Sequence, residues 1–428
     1  MAMKTIIVKG PALSRSGYGE QTRFALEALR SRPDVFEVYI LNIPWGQTGH
    51  VAANTEMMQW IHETMVKTQN YMAANGGKVR FDTSLQVTVP NEFEPMAAQD
   101  IGYTAGIETT KIAPHWIDKT NAVVQKLITI SAHSKRGLEQ TSYNFQHPET
   151  GEEITNFKIQ CPVEVCGYPV REAAPEALDV EFTTSNNFLV VSQWGIRKNL
   201  DNTIRWFVEE FKDDEDAGLI LKTNTMADSI MDRTHTSQRL KNLLAEEKSW
   251  GVEDRKCKIY LLHGELSEGN LTWLYQHPTM KAFVNIGHGE GWGLPLYEAA
   301  LNELPLITIP WSGQLDFVCK TNKKGKAVPY IIPVDYTIQP VQPAAVWEGV
   351  IQADSMWAFA RETSYKRALR EALTKQDHYR KRAALLATEI KSNFQPTALY
   401  EKFISFIHED PDEDVAEWLK KIEEISEL

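Results

Sequence analysis

A chain of 428 residues with 43% hydrophobic side chains holds material for two cores of ordinary size and too much for a single compact one, so two domains are expected. Its 45 Lys and Arg against 57 Asp and Glu give a formal net charge of -12 with no long basic run, which disfavours a polyanion as partner unless a local cleft is basic. Cys161, Cys166, Cys257 and Cys319 form neither a zinc pattern nor a disulfide framework; the apolar run in MAMKTIIVKG is too short for a signal peptide, and no uncharged stretch approaches the ~20 residues of a membrane span, so a cytoplasmic protein is expected.

The first block opens with the buried-strand run Thr5-Ile6-Ile7-Val8. A Gly/Ser loop, Gly10 to Gly19, leads from it into a helical pattern around Phe24, Leu26 and Leu29. Val38 to Leu41, Leu85 to Val89, Ile101 to Thr104 and Leu127 to Ile130 are further strands, each followed by turn or helix-start residues, as in one doubly wound sheet. From Cys161 to about Asn187 the chain carries Pro162, Pro169 and Pro175 and reads as a connector.

The second block starts at Phe188 and has strand runs at Leu219 to Leu221, Ile259 to Leu262, Ala282 to Asn285 and Leu306 to Thr308. Helical stretches such as Thr203 to Phe211 and Leu271 to Tyr275 separate them, which predicts a second parallel sheet. Beyond about Ala344 the pattern is mostly helical, ending in an acidic amphipathic helix from Asp412 to Leu428 whose apolar face, including Val415 and Trp418, suits packing back on the first domain.

Ligands of open parallel sheets bind beyond the carboxyl ends of the strands. In the second block, chemistry-competent residues are concentrated at those ends: Arg197 and Lys198 after the first strand, Lys222 after the second, His263 after the third, and Gly287-His288-Gly289-Glu290-Gly291-Trp292-Gly293 after the fourth. Glycine-rich backbone entering a helix exposes N–H groups and the positive end of the helix dipole, and Arg197 and Lys198 add full charges. A nucleoside diphosphate fits these parts best; the plainer alternative is a tight turn beside a solvated helix start. Glu298, inside the following helix, is placed to accept hydrogen bonds from the vicinal hydroxyls of a ribose, and Glu290 to meet sugar hydroxyls or charge at an anomeric carbon.

The string GHGEGWGLPLYEAALNELPLIT, Gly287 to Thr308, with Glu290 and Glu298 kept in register, resembles the donor-site signature of family 4 glycosyltransferases. VVSQWGIRKNLDNTIRWF, Val190 to Phe207, resembles that family's Arg-Lys-Asn segment, and ELSEGNLTWLY, Glu265 to Tyr275, the piece near the nucleotide base. The resemblance implies an α/β protein of the GT-B fold. Two Rossmann-like doubly wound domains would face each other across a cleft: residues 1–180, completed by a C-terminal helix returning within about 395–428, and residues 185–394. It further implies a retaining transfer of a sugar from a nucleotide-sugar donor to an unidentified hydroxyl acceptor, with no metal and no cofactor. A glycan, a lipid-linked sugar or a modified nucleobase are the acceptor classes, so nucleic acid enters only as acceptor. Arg197, Lys198 and Glu290 carry the catalytic roles. Gly17, Gly19, Lys222, His263, Gly289, Gly291, Trp292, Gly293 and Glu298 are expected at the donor, and Glu108 and His115 at the acceptor or sugar pocket. Where many members have a Gly-Arg pair after the first strand of the second domain, this chain has Ser192-Gln193-Trp194, so one diphosphate cation is missing. A phosphorylase or epimerase of the same fold, or a non-catalytic sugar-nucleotide binder or assembly protein, are the alternatives.

Overall fold

The computed structural model describes residues 3–146, 151–321 and 324–409. Alternating apolar strands and amphipathic helices bury both faces of two parallel six-stranded sheets. The first sheet comprises β1 (Lys4–Gly10), β2 (Phe36–Asn42), β3 (Phe81–Val87), β4 (Ala97–Thr104), β5 (Lys126–Thr129) and β6 (Val163–Val165), in the order β2-β1-β3-β4-β5-β6. The second comprises β7 (Asn186–Gln193), β8 (Ala217–Asn224), β9 (Lys258–Leu262), β10 (Met280–Asn285), β11 (Leu306–Thr308) and β12 (Ile332–Pro333), in the order β9-β8-β7-β10-β11-β12. Strand order reverses between β1 and β3 in one sheet and between β7 and β10 in the other. The loops leaving β1, β7 and β10 therefore open at the switch points where parallel sheets form crevices.

Three readings from sequence change. The segment taken as pure connector contains β6, because Val163 and Val165 extend the ladder beside Leu127 to Thr129. The region beyond Ala344 is not helical at first: Met356–Ala360 is a strand paired antiparallel with Tyr336–Pro340, and helices follow at Glu362–Thr374, Gln376–Asn393 and Pro396–Ile407. A helix at Glu56–Ala74, which the sequence reading omitted, covers β2. The acidic stretch Asp412 to Leu428 lies outside the described residues.

The chain returns to the first domain through the helix Pro396–Ile407, which packs on Gly17–Arg30. Phe403 meets Phe24 with ring centroids 5.1 Å apart, and Tyr400 Oη donates to Glu27 Oε2 at 2.9 Å. One apolar cluster runs through both domains: Trp292, Tyr297 and Phe317 from the second pack against Tyr168 and Phe394 where the chain crosses. That continuity holds the two sheet edges face to face, which is what positions the site.

Candidate active site between the domains

After β7 the chain makes a 3-10 turn at Ile196–Lys198 and then places Asn199 in the left-handed region, φ 54°, before the helix Leu200–Phe211. This reversal turns Arg197 and Lys198 toward the loop after β10. Arg197 O accepts from His288 N at 2.8 Å, and Asn199 Nδ2 donates to Ile286 O at 3.1 Å, so the two loops are tied together at two points. Lys198 Nζ donates to Glu290 Oε1 at 2.6 Å and Oε2 at 2.8 Å, and Arg197 Nη1 to Glu290 Oε2 at 3.0 Å and Gly289 O at 2.7 Å. Asn285 Nδ2 adds a 2.9 Å bond to Glu290 Oε1.

Glu290 is 5% exposed. Burial alone would raise its carboxyl pKa, but Lys198, then Arg197, then hydrogen bonds from Lys198 and Asn285 hold it down to about 2. The pair is not symmetric. Lys198 shares its single carboxylate with Arg197, so burial and the neighbouring guanidinium pull its pKa below the usual lysine range. The main chain of Glu290 is pinned too: Ser312 Oγ accepts its N–H at 2.8 Å, and Gly313 N donates to its carbonyl at 2.8 Å. Ser312 adopts φ 71° to do this, and a Cβ at Gly313 would collide with Gly291 O.

Gly293, φ 92°, caps the helix Leu294–Leu301, with Pro295 in its first turn, so the helix N-terminus faces back along the glycine loop. Glu298, on that helix, receives a hydrogen bond from Tyr275 Oη at 2.8 Å. Burial raises its pKa to about 7, with Glu20 and Glu268 raising it further and Arg171 opposing.

The first domain closes the other side. Glu108 Oε1 lies 3.3 Å from Arg197 Nη1, and a Cβ at Gly289 would stand 2.8 Å from Glu108 O. At Gly291 a Cβ would be 3.3 Å from Ile130 Cδ1 and 3.4 Å from Ala105 O. These glycines therefore admit the opposite domain rather than open space. Asp316 reaches across to accept Ala132 N at 2.7 Å at the start of the helix Ala132–Gln140, and Arg15 pairs with Glu265. The void bounded by Ser192, Lys198, Asn285 and Ile286 measures about 10 Å³, room for roughly one water. A concavity of about 420 Å³ lined by Glu209, Asp213, Lys256 and Arg370 shares no residue with this cluster.

Gly17 and Gly19 sit at the start of the helix Gly17–Arg30, capped by Ser16 Oγ accepting Gly19 N at 3.1 Å. A Cβ at Gly17 meets nothing within 4 Å, whereas one at Gly19 strikes Ser14 O, so Gly17 leaves space and Gly19 serves the turn. Lys222 lies 3.6 Å from Asp228, near Arg15 and Glu265, and burial lowers its pKa.

Three of the expected ligand residues have other partners or stand apart from the cluster. His263, its side chain 2% exposed, commits Nε2 to Asp232 Oδ2 at 3.0 Å, and Asp232 in turn accepts Thr225 N and Met226 N; the pair braces the loop after β8. Trp292, 3% exposed, packs in the interdomain aromatic cluster, and its Nε1 is buried without a hydrogen-bond partner. His115 is exposed in the first turn of the helix Pro114–Val123, whose adjacent Trp116 points into the core, and it has no hydrogen bond or ion pair to the cluster. At the Ser192-Gln193-Trp194 departure, Trp194 is buried and Arg239 stacks 4.6 Å above its ring, donating to Trp194 O; that arginine is committed to packing. The sequence reading missed Asn285, Ser312, Asp316 and Arg15. Only Arg15, in the glycine loop, carried a signal.

No family model matches the chain, and no curated protein matches it. Among solved structures, sucrose-phosphate synthase from Thermosynechococcus elongatus is similar at a TM-score of 0.58 with 12% identity, over 94% of this chain and 98% of that one. An E. coli trehalose-6-phosphate protein bound with UDP-2-fluoro glucose gives 0.53 with 12% identity, over 94% and 98%. The chain has the GT-B fold. S. aureus TarM gives only 0.45 at 13% identity over 76% of this chain, which spans 55% of that one. In this GT-B protein the Arg197–Lys198–Glu290 cluster lies where the two switch-point edges meet. Among the described residues, no helix is long and apolar enough to cross a membrane.

Proposed function

We propose that this protein is a glycosyltransferase that moves a sugar from a nucleotide-diphosphate sugar to an acceptor hydroxyl, with retention at the anomeric carbon and without a metal. The observation that carries this reading is the meeting of Arg197, Lys198 and Glu290 at the N-terminus of the helix Leu294–Leu301. Retention and metal independence rest on the resemblance of that segment to family 4 enzymes. In the reaction the bond between the anomeric carbon and the leaving phosphate oxygen breaks. A new bond forms to the acceptor oxygen, and the acceptor proton passes to the leaving phosphate on the same face. Negative charge grows on the diphosphate as the sugar becomes oxocarbenium-like. Arg197, Lys198 and the helix N-terminus meet that charge as preorganised donors, while the anionic Glu290 faces the positive sugar.

Arg197 and Lys198 are both paired with Glu290, and Arg197 also with Glu108. A donor therefore enters by opening the domains and takes over those cations as they close. The test is a thermal-shift panel of UDP-, GDP-, ADP- and TDP-sugars, followed by turnover of the best stabiliser. One nucleotide class is expected to stabilise the protein, and Arg197→Ala to abolish that shift. If no sugar nucleotide raises the unfolding temperature, the reading fails.

A further inference from the structure

Two aromatic side chains meet edge to face across the domain interface close to this cluster. His133, at the start of the helix Ala132–Gln140 in the first domain, and Trp311, between β11 and Ser312 in the second, have ring centroids 5.1 Å apart at 73°. His133 is 6% exposed. Its Nε2 and the Trp311 Nε1 are both buried without a hydrogen-bond partner. A buried donor or acceptor left without a partner is destabilising, so two on rings in contact call for an explanation.

Their surroundings supply one. Trp311 Nε1 stands 3.5 Å from where a Cβ on Gly289 would be, and the same point is 2.8 Å from Glu108 O. Ser312, the next residue, is the one that holds the Glu290 main chain. The orphaned pair thus adjoins the loop that carries Glu290. Burial, with the charge of Arg136 adding to it, lowers the His133 pKa to about 4, so the ring is neutral near pH 7; hydrogen bonds to the backbone of Glu108 and Thr109 oppose the shift. A neutral imidazole has one donor and one acceptor nitrogen, so the unpartnered Nε2 offers one or the other. The Trp311 indole is a donor only. A hydroxyl group both donates and accepts, so it satisfies Nε2 in either tautomer while accepting from the indole N–H.

We propose that Trp311 Nε1–H and His133 Nε2 together hold one hydroxyl of the donor sugar, each contributed by a different domain. This rests on the glycosyltransferase reading. Because the partners come from opposite domains, opening separates them and closing on a donor completes the contact, so this hydroxyl is checked only in the closed state.

The experiment measures dissociation constants for the sugar nucleotide that stabilises best among UDP-glucose, UDP-galactose, UDP-N-acetylglucosamine, GDP-mannose and ADP-glucose, for its free nucleoside diphosphate, and for its monodeoxy analogues. Trp311→Phe is expected to weaken the sugar nucleotide roughly five- to tenfold and to leave the free diphosphate unchanged, which also certifies the fold. One deoxy analogue should show the same loss on the native protein and no further loss on the variant. His133→Phe should behave like Trp311→Phe, with His133→Gln, which keeps a side-chain donor and acceptor, recovering part of the affinity. Equal weakening of the diphosphate and the sugar nucleotide, or no weakening of either, overturns the proposal and assigns the pair to packing. Failure of the native protein to bind any of the five would instead bring down the glycosyltransferase reading itself.

Discussion

Lys198 Nζ stands 2.6 Å from Glu290 Oε1, a half-buried lysine on a buried carboxylate, from loops 92 residues apart at the joint of two domains. Taking away the ammonium leaves Glu290 with Arg197 and Asn285, enough to keep it ionised, so the fold should survive Lys198→Ala. The growing charge on a leaving diphosphate, however, would lose a full cation in a dry site. Turnover is expected to fall at least about tenfold. Steady-state kinetics on the best donor, with thermal unfolding as control, checks this; near-native turnover contradicts the assignment.

Glu108 competes with the ligand. Its carboxylate lies 3.3 Å from Arg197 Nη1, where a diphosphate bound by that guanidinium would meet it. Glu108→Gln keeps the shape and removes the competing charge, so free nucleoside diphosphate should bind about three- to tenfold tighter. Titration calorimetry at low and high salt is the measurement, and the advantage should shrink as salt rises. Unchanged or weaker affinity would mean that Glu108 does not occupy the phosphate's cation.

Much of this fold and site was legible in the amino-acid order. The ten strands read from apolar runs all exist, because short Ile/Val/Leu-rich segments bounded by glycine and charge have few other fates in a doubly wound sheet. Lys198, Arg197 and Glu290 were legible as a group because they come directly after strands that share an edge. The part that stayed hidden is tertiary. The edge strand Ile332–Pro333 is too short to show a period, and Met356–Ala360 gains its strand character from pairing with Tyr336–Pro340. His263 is expected at the donor because it comes after a strand; its bond to Asp232 of the helix Ile230–Leu244 is tertiary and leaves no mark in the sequence. Trp292 stands among glycines in sequence yet points into aromatic packing. Ser312 carries no sign of its positive φ, since serine seldom adopts it.

Glu298 gives the protein a pH dependence. Burial raises its pKa from 4.5 to about 7. A raised carboxyl pKa contributes stability that is present below pH 4.5 and is lost as pH climbs through about 7, because the folded state binds the proton more tightly than the unfolded one. Donor binding should run the other way. A carboxylate accepts from two ribose hydroxyls better than a carboxylic acid does, so affinity for a sugar nucleotide should increase between pH 6 and pH 8, by about three- to tenfold. The sugar nucleotide has no group titrating there, and Glu298→Gln should flatten the profile. A profile that persists in the Gln variant would move the titrating group elsewhere.

Two glycines near the cleft should respond differently to the same methyl group. A Cβ at Gly289 falls 2.8 Å from Glu108 O and 3.1 Å from Glu108 Cβ, and the first of these is backbone, which yields only if the domains part. Gly289→Ala should therefore wedge the interface, cost about 1–3 kcal/mol of stability and cut turnover by at least about tenfold by displacing the loop that carries Glu290. Gly17→Ala meets nothing within 4 Å, and no left-handed φ restricts the site, so stability should change by no more than about 0.5 kcal/mol. The methyl would instead enter the space at the start of the helix Gly17–Arg30, where the resemblance puts the donor, and weaken sugar-nucleotide binding. Urea unfolding and donor affinity measured on both variants separate the cases: loss of stability without loss of affinity in Gly17→Ala would make that glycine part of the turn and remove it from the site.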